Sequence, residues 1–397
     1  MYAIVERQRN LASEPFDARA IASKPFVAAP LPIGGVLIGM GIQLATRSLA
    51  RWLLGWKRYP GSVEAICRAV IEDCWRGQFF GGSAGHFRQF WTRDLAMCTP
   101  ALCRLGMRDR VIASWTWALD RFEQNNRITT TIFARRFARD VYSFASDSLP
   151  MLLYGVHAAG ADSLIDRHRT FLAREVLRYV DRVYDPDLGL ARADRYFSAP
   201  RDCIAARSSV FANCMLALLE RILDDFPALP NPLKGCKIAG RIQEHFWRGD
   251  YFRDSLVEDE PSGDANVWPF LLGIVTDADM KRRALDTLWQ RGFTRPIPLR
   301  YFESRIPGRE LRFPRLFAPN YQGDTSWMQM GPLYLQVLRD VNPERMVAER
   351  HEIARFVERD QNYLELYTKD GHPYRGLAGF YFADAGMIWA AMFLDLL

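Results

Sequence analysis

The feature of this sequence that most restricts its fold is a recurrence of apolar helical stretches at an interval of about sixty residues. From residue 60 onward, hydrophobic residues recur at helical spacing with few strand-like alternations. The pattern predicts helices beginning near residues 62, 94, 110, 148, 162, 207, 233, 265, 276, 325, 343 and 384. They are of two kinds. One is amphipathic, with a single apolar stripe; the other is rich in small and apolar residues, as expected of a helix covered on all sides. Each covered helix follows an Asp or Ser: Asp94, Asp147, Ser208, Asp264, Asp324 and Asp384. Such residues cap backbone N–H groups at helix starts and complement the helix dipole, so these six are expected as N-caps. Outer and inner helices then pair into six hairpins around a ring, an all-α (α/α)6 toroid.

Closing the ring would gather all six inner-helix starts at one end. The long loops near residues 186 to 206, 248 to 263 and 292 to 323 all precede inner helices and should crowd that mouth. Loops of this length are usually functional. The division expected is an N-terminal lead over residues 1–59 and a barrel over 60–397.

The lead carries both signs of charge in its first 24 residues and no compact apolar core, which argues against a signal peptide. Residues 25 to 46 lack charge, but Pro25, Pro30 and Pro32 interrupt them, leaving too short a run to span a bilayer. Arg47, Arg51, Lys57 and Arg58 among Leu49, Trp52, Leu53, Leu54 and Trp56 read as an amphipathic helix with a basic face. Packing against the barrel is expected of it, with contact to a membrane as the alternative.

A net charge of +6, dispersed along the chain, does not call for a nucleic-acid partner. Seven cysteines without a CxxC pair suggest buried thiols in a reduced, cytoplasmic setting. The six histidines form no HExxH or HxH pattern, and no Gly-rich phosphate loop follows a strand. Neither a metal nor a nucleotide cofactor is expected.

The mouth should hold Trp91, Arg93, Asp94, Tyr142, Asp147, Tyr196, Arg207, Trp268, Tyr301, Tyr321, Gln322, Asp324, Trp327, Glu365, Tyr367, Tyr374 and Tyr381. Aromatic faces beside carboxylates and arginines suit a pyranose, whose C–H faces pack on rings while its hydroxyls pair with charged groups. Any one of these aromatics taken singly is more simply a core residue. Asp147 is either a plain N-cap or a group presented to the funnel. Glu365, in Tyr363-Leu364-Glu365-Leu366-Tyr367, is either a surface charge at a strand edge or a desolvated base. Asp94 has the same ambiguity as Asp147, but Trp91 and Arg93 beside it form a cluster that a cap does not require.

At these residues the sequence resembles the six-hairpin glycosidases, which include glucoamylase, the amylo-α-1,6-glucosidase domain of glycogen debranching enzyme, and neutral invertase. The resemblance covers residues 60 to 397. Phe90-Trp91-Thr92-Arg93-Asp94 is similar to the W-x-R-D motif, which implies that Arg93 and Asp94 hold the innermost sugar. Ser146-Asp147-Ser148-Leu149 is similar to the V-D-[AS]-x-L segment and implies Asp147 as catalytic acid. Glu365-Leu366-Tyr367 with Gly371 and Pro373 is similar to the E-x-[FY]…G-x-P stretch and implies Glu365 as catalytic base. Gly323-Asp324-Thr325-Ser326-Trp327 and Gly331-Pro332-Leu333 resemble an inner-helix motif; with Asp324 as a further binding residue, Trp91, Trp268 and Trp327 would be stacking walls of the sugar site. Three inner-helix signatures differ, with Arg207 to Asn213, Trp327-Met328-Gln329 and Gly376 to Trp389 standing in their places. The resemblance implies a metal-independent inverting hydrolase acting from the end of an oligosaccharide or small glycoside. Inversion requires carboxyl groups roughly 6.5–9.5 Å apart. Rival readings are a sugar epimerase on the same barrel with His86 and His372 at the funnel, a phosphorylase, or a carbohydrate-binding relative without activity.

Overall fold

The computed structural model describes residues 53–377 and 381–397, together with residues 21, 22, 26, 42, 46, 47 and 49–51. The repeat resolves into hairpins. Outer α1 (Val63–Cys74) leads through β1 (Phe90–Trp91) to inner α2 (Thr92–Arg104), and outer α3 (Arg108–Gln124) leads through β2 (Thr131–Phe133) and β3 (Phe137–Arg139) to inner α4 (Ser148–Ala158). After the short α5 (Ser163–Arg167), outer α6 (Arg169–Val183) leads through β4 (Tyr184–Asp185) and β5 (Leu190–Ala191) to inner α7 (Val210–Ile222). Outer α8 (Ile238–Phe246) precedes inner α9 (Trp268–Leu271). Outer α10 (Ala278–Gln290), a loop bearing α11 (Arg312–Phe317), and β6 (Ser326–Trp327) precede inner α12 (Met330–Arg339). Outer α13 (Pro343–Asp360) and β7 (Leu366–Tyr367) precede inner α14 (Ala390–Leu394). Each inner helix packs on the next, and α14 returns to α2, so the toroid is closed.

Burial separates the two kinds of helix as their composition anticipates. In α6 the buried residues Phe171, Leu172, Val176, Tyr179, Val180 and Val183 form one stripe, whereas α7 is buried without a break from Val210 to Leu219. Several starts have ordinary caps: Ser62 for α1, Ser209 for α7, Asp277 for α10 and Asn342 for α13.

The acidic residues expected as caps behave otherwise. Asp94 lies inside the first turn of α2, and Asp147 occupies the N-cap of α4 without bonding the helix through its side chain. Ser208 stands one residue before the true cap, while Asp264, Asp324 and Asp384 lie ahead of their helices. Stronger partners elsewhere, described below, claim these carboxylates.

The segments preceding the inner helices are stitched together at one end of the ring. Ala145 bridges Ser198, Ser209 bridges Ser255, Gly263 N–H donates to the Tyr301 carbonyl, and Arg300 bridges Ser326. Trp327 pairs with Leu366 in the antiparallel β6–β7 ribbon, Leu364 bridges Ala385, and Ser83 bridges Met387. In the three-stranded antiparallel sheet, Phe90 pairs with Ile132 and Thr131 with Arg139, fixing the chain as it turns into α2.

The lead meets the barrel through polar groups as well as through Ile21 and Tyr59, which join the core. Trp56 Nε1 donates to the Asp360 carbonyl (2.8 Å), Arg47 Nη1 donates to the His86 carbonyl (2.6 Å), and Arg51 Nη1 lies 3.9 Å from Asp384. Leu49, Leu53 and Leu54 are exposed while Arg47, Arg51 and Trp56 turn inward and Lys57 and Arg58 stay exposed, unlike a helix that packs by its apolar stripe alone. Most of the uncharged run 25–46 lies outside the described residues, and among those described no helix is long and apolar enough to cross a membrane.

Close inner–outer packing depends on Gly155. A Cβ there would fall 2.3 Å from Cζ2 of Trp115 on α3. On an open helix face, Gly→Ala stabilises by about 1 kcal/mol. Here Gly155→Ala is expected to destabilise by about 1–3 kcal/mol in urea unfolding, with Trp115→Phe restoring much of the loss. An unchanged or raised midpoint in the single variant would show that the contact is loose.

Candidate functional site

The stitched end of the barrel brings charged groups together in two clusters. In the first, Arg93 Nη1 donates to Asp147 Oδ2 at 2.7 Å, and both side chains are buried. Burial works against the guanidinium charge, but Asp147 and Asp94 outweigh it, and Arg93 titrates above its ordinary value. Asp94 Oδ1 accepts from Trp389 Nε1 at 2.7 Å, and burial raises its pKa against the pull of Arg93. Asp202, bonded by Gln322 Nε2 at 3.2 Å, is pushed up to about 6 by burial despite the nearby Arg93.

The second cluster surrounds Glu365. Its backbone is held on both sides, its N–H donating to the Asp384 carbonyl (2.9 Å) and its carbonyl accepting from Met328 (3.0 Å). Its side chain accepts from the Asp384 N–H (2.8 Å), from the Tyr381 hydroxyl (2.9 and 3.0 Å) and from the Tyr321 hydroxyl. Burial pushes Glu365 up to about 8, with the Asp384 charge acting in the same direction. Asp384 shifts the opposite way. Burial favours its neutral form, but His86, Arg51, the Ser83 hydroxyl and backbone N–H groups hold it below the ordinary carboxylate range. His86 is brought down to about 4 by burial, partly offset by Asp384, so its ring is neutral at pH 7.

A belt of aromatic side chains joins the clusters. Trp389, bonded to Asp94, lies 6.3 Å from Trp327 between ring centroids. Trp327 lies 4.9 Å from Tyr321 and 5.6 Å from Tyr301, and Tyr321 bonds Glu365. Several buried polar atoms here have no protein partner: Trp91 Nε1, Arg93 Nε, Asp147 Oδ1, Ser148 Oγ, Trp268 Nε1 and Gln329 Oε1. They are located at or beside the starts of α2, α4, α9 and α12. Buried donors and acceptors are rarely left unpaired, and an array of both kinds suits a polyhydroxyl ligand.

Arg93, Asp94 and Asp147 therefore stand together, and Trp327 connects them to Glu365. Asp324 is engaged locally, accepting from Asn320 Nδ2 at 2.5 Å, and Trp268 packs edge-on to Phe211 at 5.2 Å. Sequence reasoning treated Asp384 only as a cap and passed over Asp202. It also missed a buried cluster in which Arg201 contacts Asp254 (2.6 Å) and Asp264 (3.0 Å) while Arg309 binds Asp254. No local pattern marks Arg201, an arginine in a long loop whose partners lie over fifty residues away. Arg201 also lines a small cavity with Ser146, Phe197 and Ser209. Among the described residues no group of His, Cys, Asp and Glu is arranged to hold a metal.

No protein-family model and no curated protein sequence matches the chain. Solved structures do. A glycosidase in complex with glucose superposes with a TM-score of 0.60 at 12% identity, covering 90% of this chain and 97% of that one. A GH63 mannosylglycerate hydrolase from Thermus thermophilus, in complex with Tris and D-glycerate, gives 0.56 at 13% identity over 84% and 99%. A rhamnosidase from Klebsiella oxytoca with rhamnose bound gives 0.60 at 12% identity over 94% and 66%. The chain has the all-α toroid of these proteins.

Glu365 has a consequence for stability. It keeps its proton to about pH 8 when folded, against an ordinary value of 4.5. Between those values the folded state binds more protons than the unfolded one, so this contribution is present below about pH 4.5 and is lost as pH rises through 8. Relative to Glu365→Gln, the native chain should therefore lose unfolding free energy across that window in pH-dependent denaturation. Parallel curves would show that Glu365 is not held neutral.

Proposed function

We propose that the chain is a glycoside hydrolase. Asp147 donates a proton to the glycosidic oxygen, and Glu365 takes a proton from the water that attacks the anomeric carbon, with inversion. The observation carrying this reading is the aromatic belt that links two buried carboxyl groups at the end of a toroid shared with glycosidases, among unpaired donors and acceptors. Arg93 and Asp94 would bind hydroxyls of the sugar, with Trp91 and Trp327 as walls. Trp268, whose buried indole N–H is also unpaired, and Asp324 would extend the sugar site. Arg93, Asp94, Asp147, Trp327 and Glu365 are all buried, so sugar access requires the covering loops to move.

Charge state bears on the two roles. A base must be ionised, so Glu365 as base predicts kcat/KM rising with pH through about 8. The exchanged assignment, with Glu365 as proton donor, is favoured by the same raised pKa and predicts a fall through that pH. An epimerase is less well supported, since His372 is exposed and the His86 ring is engaged by Tyr381 and Asp384.

The test is release of reducing sugar from a panel of α- and β-linked substrates, including sucrose, maltooligosaccharides, mannosylglycerate and rhamnosides, with the product anomer followed by NMR. Asp147→Asn and Glu365→Gln are each expected to lower kcat by about 10²–10⁴-fold while the chain stays folded by circular dichroism. Turnover retained in both variants would overturn the assignment, a phosphate requirement would identify a phosphorylase, and sugar binding without cleavage would identify an inactive relative.

A further inference from the structure

We propose that Asp384, His86 and Tyr381 form a positioning arm behind Glu365, in which the Tyr381 hydroxyl turns between the Glu365 carboxylate and Nε2 of His86 as Glu365 loses or gains its proton. This rests on the reading of Glu365 as a reacting carboxyl.

The geometry gives one hydrogen several acceptors. The Tyr381 oxygen lies 2.9 and 3.0 Å from the two Glu365 oxygens, 2.8 Å from the Tyr321 hydroxyl and 3.3 Å from His86 Nε2. An O–H donates to one partner at a time. Across the ring, His86 Nδ1 is 3.1 Å from Asp384 Oδ1. That carboxylate already accepts from the Ser83 hydroxyl (2.5 Å) and the backbone N–H groups of His86 (2.8 Å), Phe87 (2.9 Å) and Ala385 (2.8 Å). With the Asp384 carboxylate beside Nδ1, we assign the imidazole hydrogen to that nitrogen, which leaves Nε2 with a lone pair directed at Tyr381.

Two arrangements follow. With Glu365 ionised, Tyr321 and Tyr381 both donate to it. Once Glu365 takes a proton from water, its new O–H bond donates to the Tyr381 oxygen, and the Tyr381 hydrogen turns to Nε2. No proton leaves Tyr381 and His86 stays neutral, so no charge is moved into the interior. His86 thereby favours the protonated form by giving the displaced hydrogen a partner, and the Asp384 charge favours it electrostatically. The other groups facing Glu365 are Tyr374 and, from the lead, Arg51. Gly85 shows how closely the arm is fitted, since a Cβ there would fall 1.9 Å from Asp384 Oδ1.

The experiment is pH-difference infrared spectroscopy of the full chain, with the protonated-carboxyl band of Glu365 identified by its loss in Glu365→Gln. Asp384→Asn and His86→Leu should each lower the Glu365 midpoint by about one pH unit, a tenfold change in proton affinity. His86→Gln, whose amide oxygen can still accept from Tyr381, should keep it near the native value. Tyr381→Phe removes a donor to the carboxylate and should raise it. Loosening of the site alone would move all four variants in one direction. Midpoints unchanged in Asp384→Asn and His86→Leu, or a fall in Tyr381→Phe, would overturn the arm. The titration needs no substrate. An arm that behaves as described in a chain that cleaves no glycoside would therefore refute the functional reading alone.

Discussion

The hydrogen bond from the Trp389 indole to Asp94 ties the last hairpin to the first, and the site depends on it. It fixes the start of α2, and with it Arg93, whose guanidinium reaches Asp147. On its other side Trp389 abuts Trp327, which packs on the Tyr321 that bonds Glu365. A ring of inner helices can bury every face only if it closes, and here the closing contact also ties together the charged mouth. The dispersive stability of the core and the polar chemistry of the mouth thus share one joint.

The order of hairpins was legible because helical periodicity is a local property that survives whatever the tertiary context. Most helix starts lie within a few residues of where the pattern puts them. Among the inner helices two begin five or six residues late, α12 at Met330 and α14 at Ala390. In both, the residues just ahead are held extended by pairing across the mouth, Ser326–Trp327 with Leu366–Tyr367, and Ala385 and Met387 with Leu364 and Ser83. Cap preference is also local, and it misled wherever a distant donor was available: Arg93 for Asp147, Trp389 for Asp94, the Ser83–Phe87 turn for Asp384. Those partners lie 54 to 301 residues away and cannot be read from neighbouring sequence. The inward-facing arginines of the lead escaped for the same reason, because their attraction is to carboxylates of the opposite end of the chain.

Glu365 and Asp384 show how one environment can separate two like groups. They touch through a backbone N–H, share the same burial, and titrate in opposite directions. Asp384 accepts from one hydroxyl and three backbone N–H groups, with Arg51 and His86 beside it. Glu365 has two phenols, one backbone N–H and the neighbouring anion, with Arg51 common to both. Desolvation acts on both; the supply of compensating positive charge decides the outcome.

The arrangement of partners has a bearing on biosynthesis. Ser83, His86, Phe87 and Asp94 leave the ribosome 295 to 301 residues ahead of Asp384 and Trp389, which satisfy or depend on them. Contacts of such high sequence separation form late and slowly. A nascent chain therefore carries an open arc of helices with uncovered inner faces until the sixth hairpin is made, a species prone to association and in need of shielding. No closed mouth exists until the sixth hairpin docks on the first.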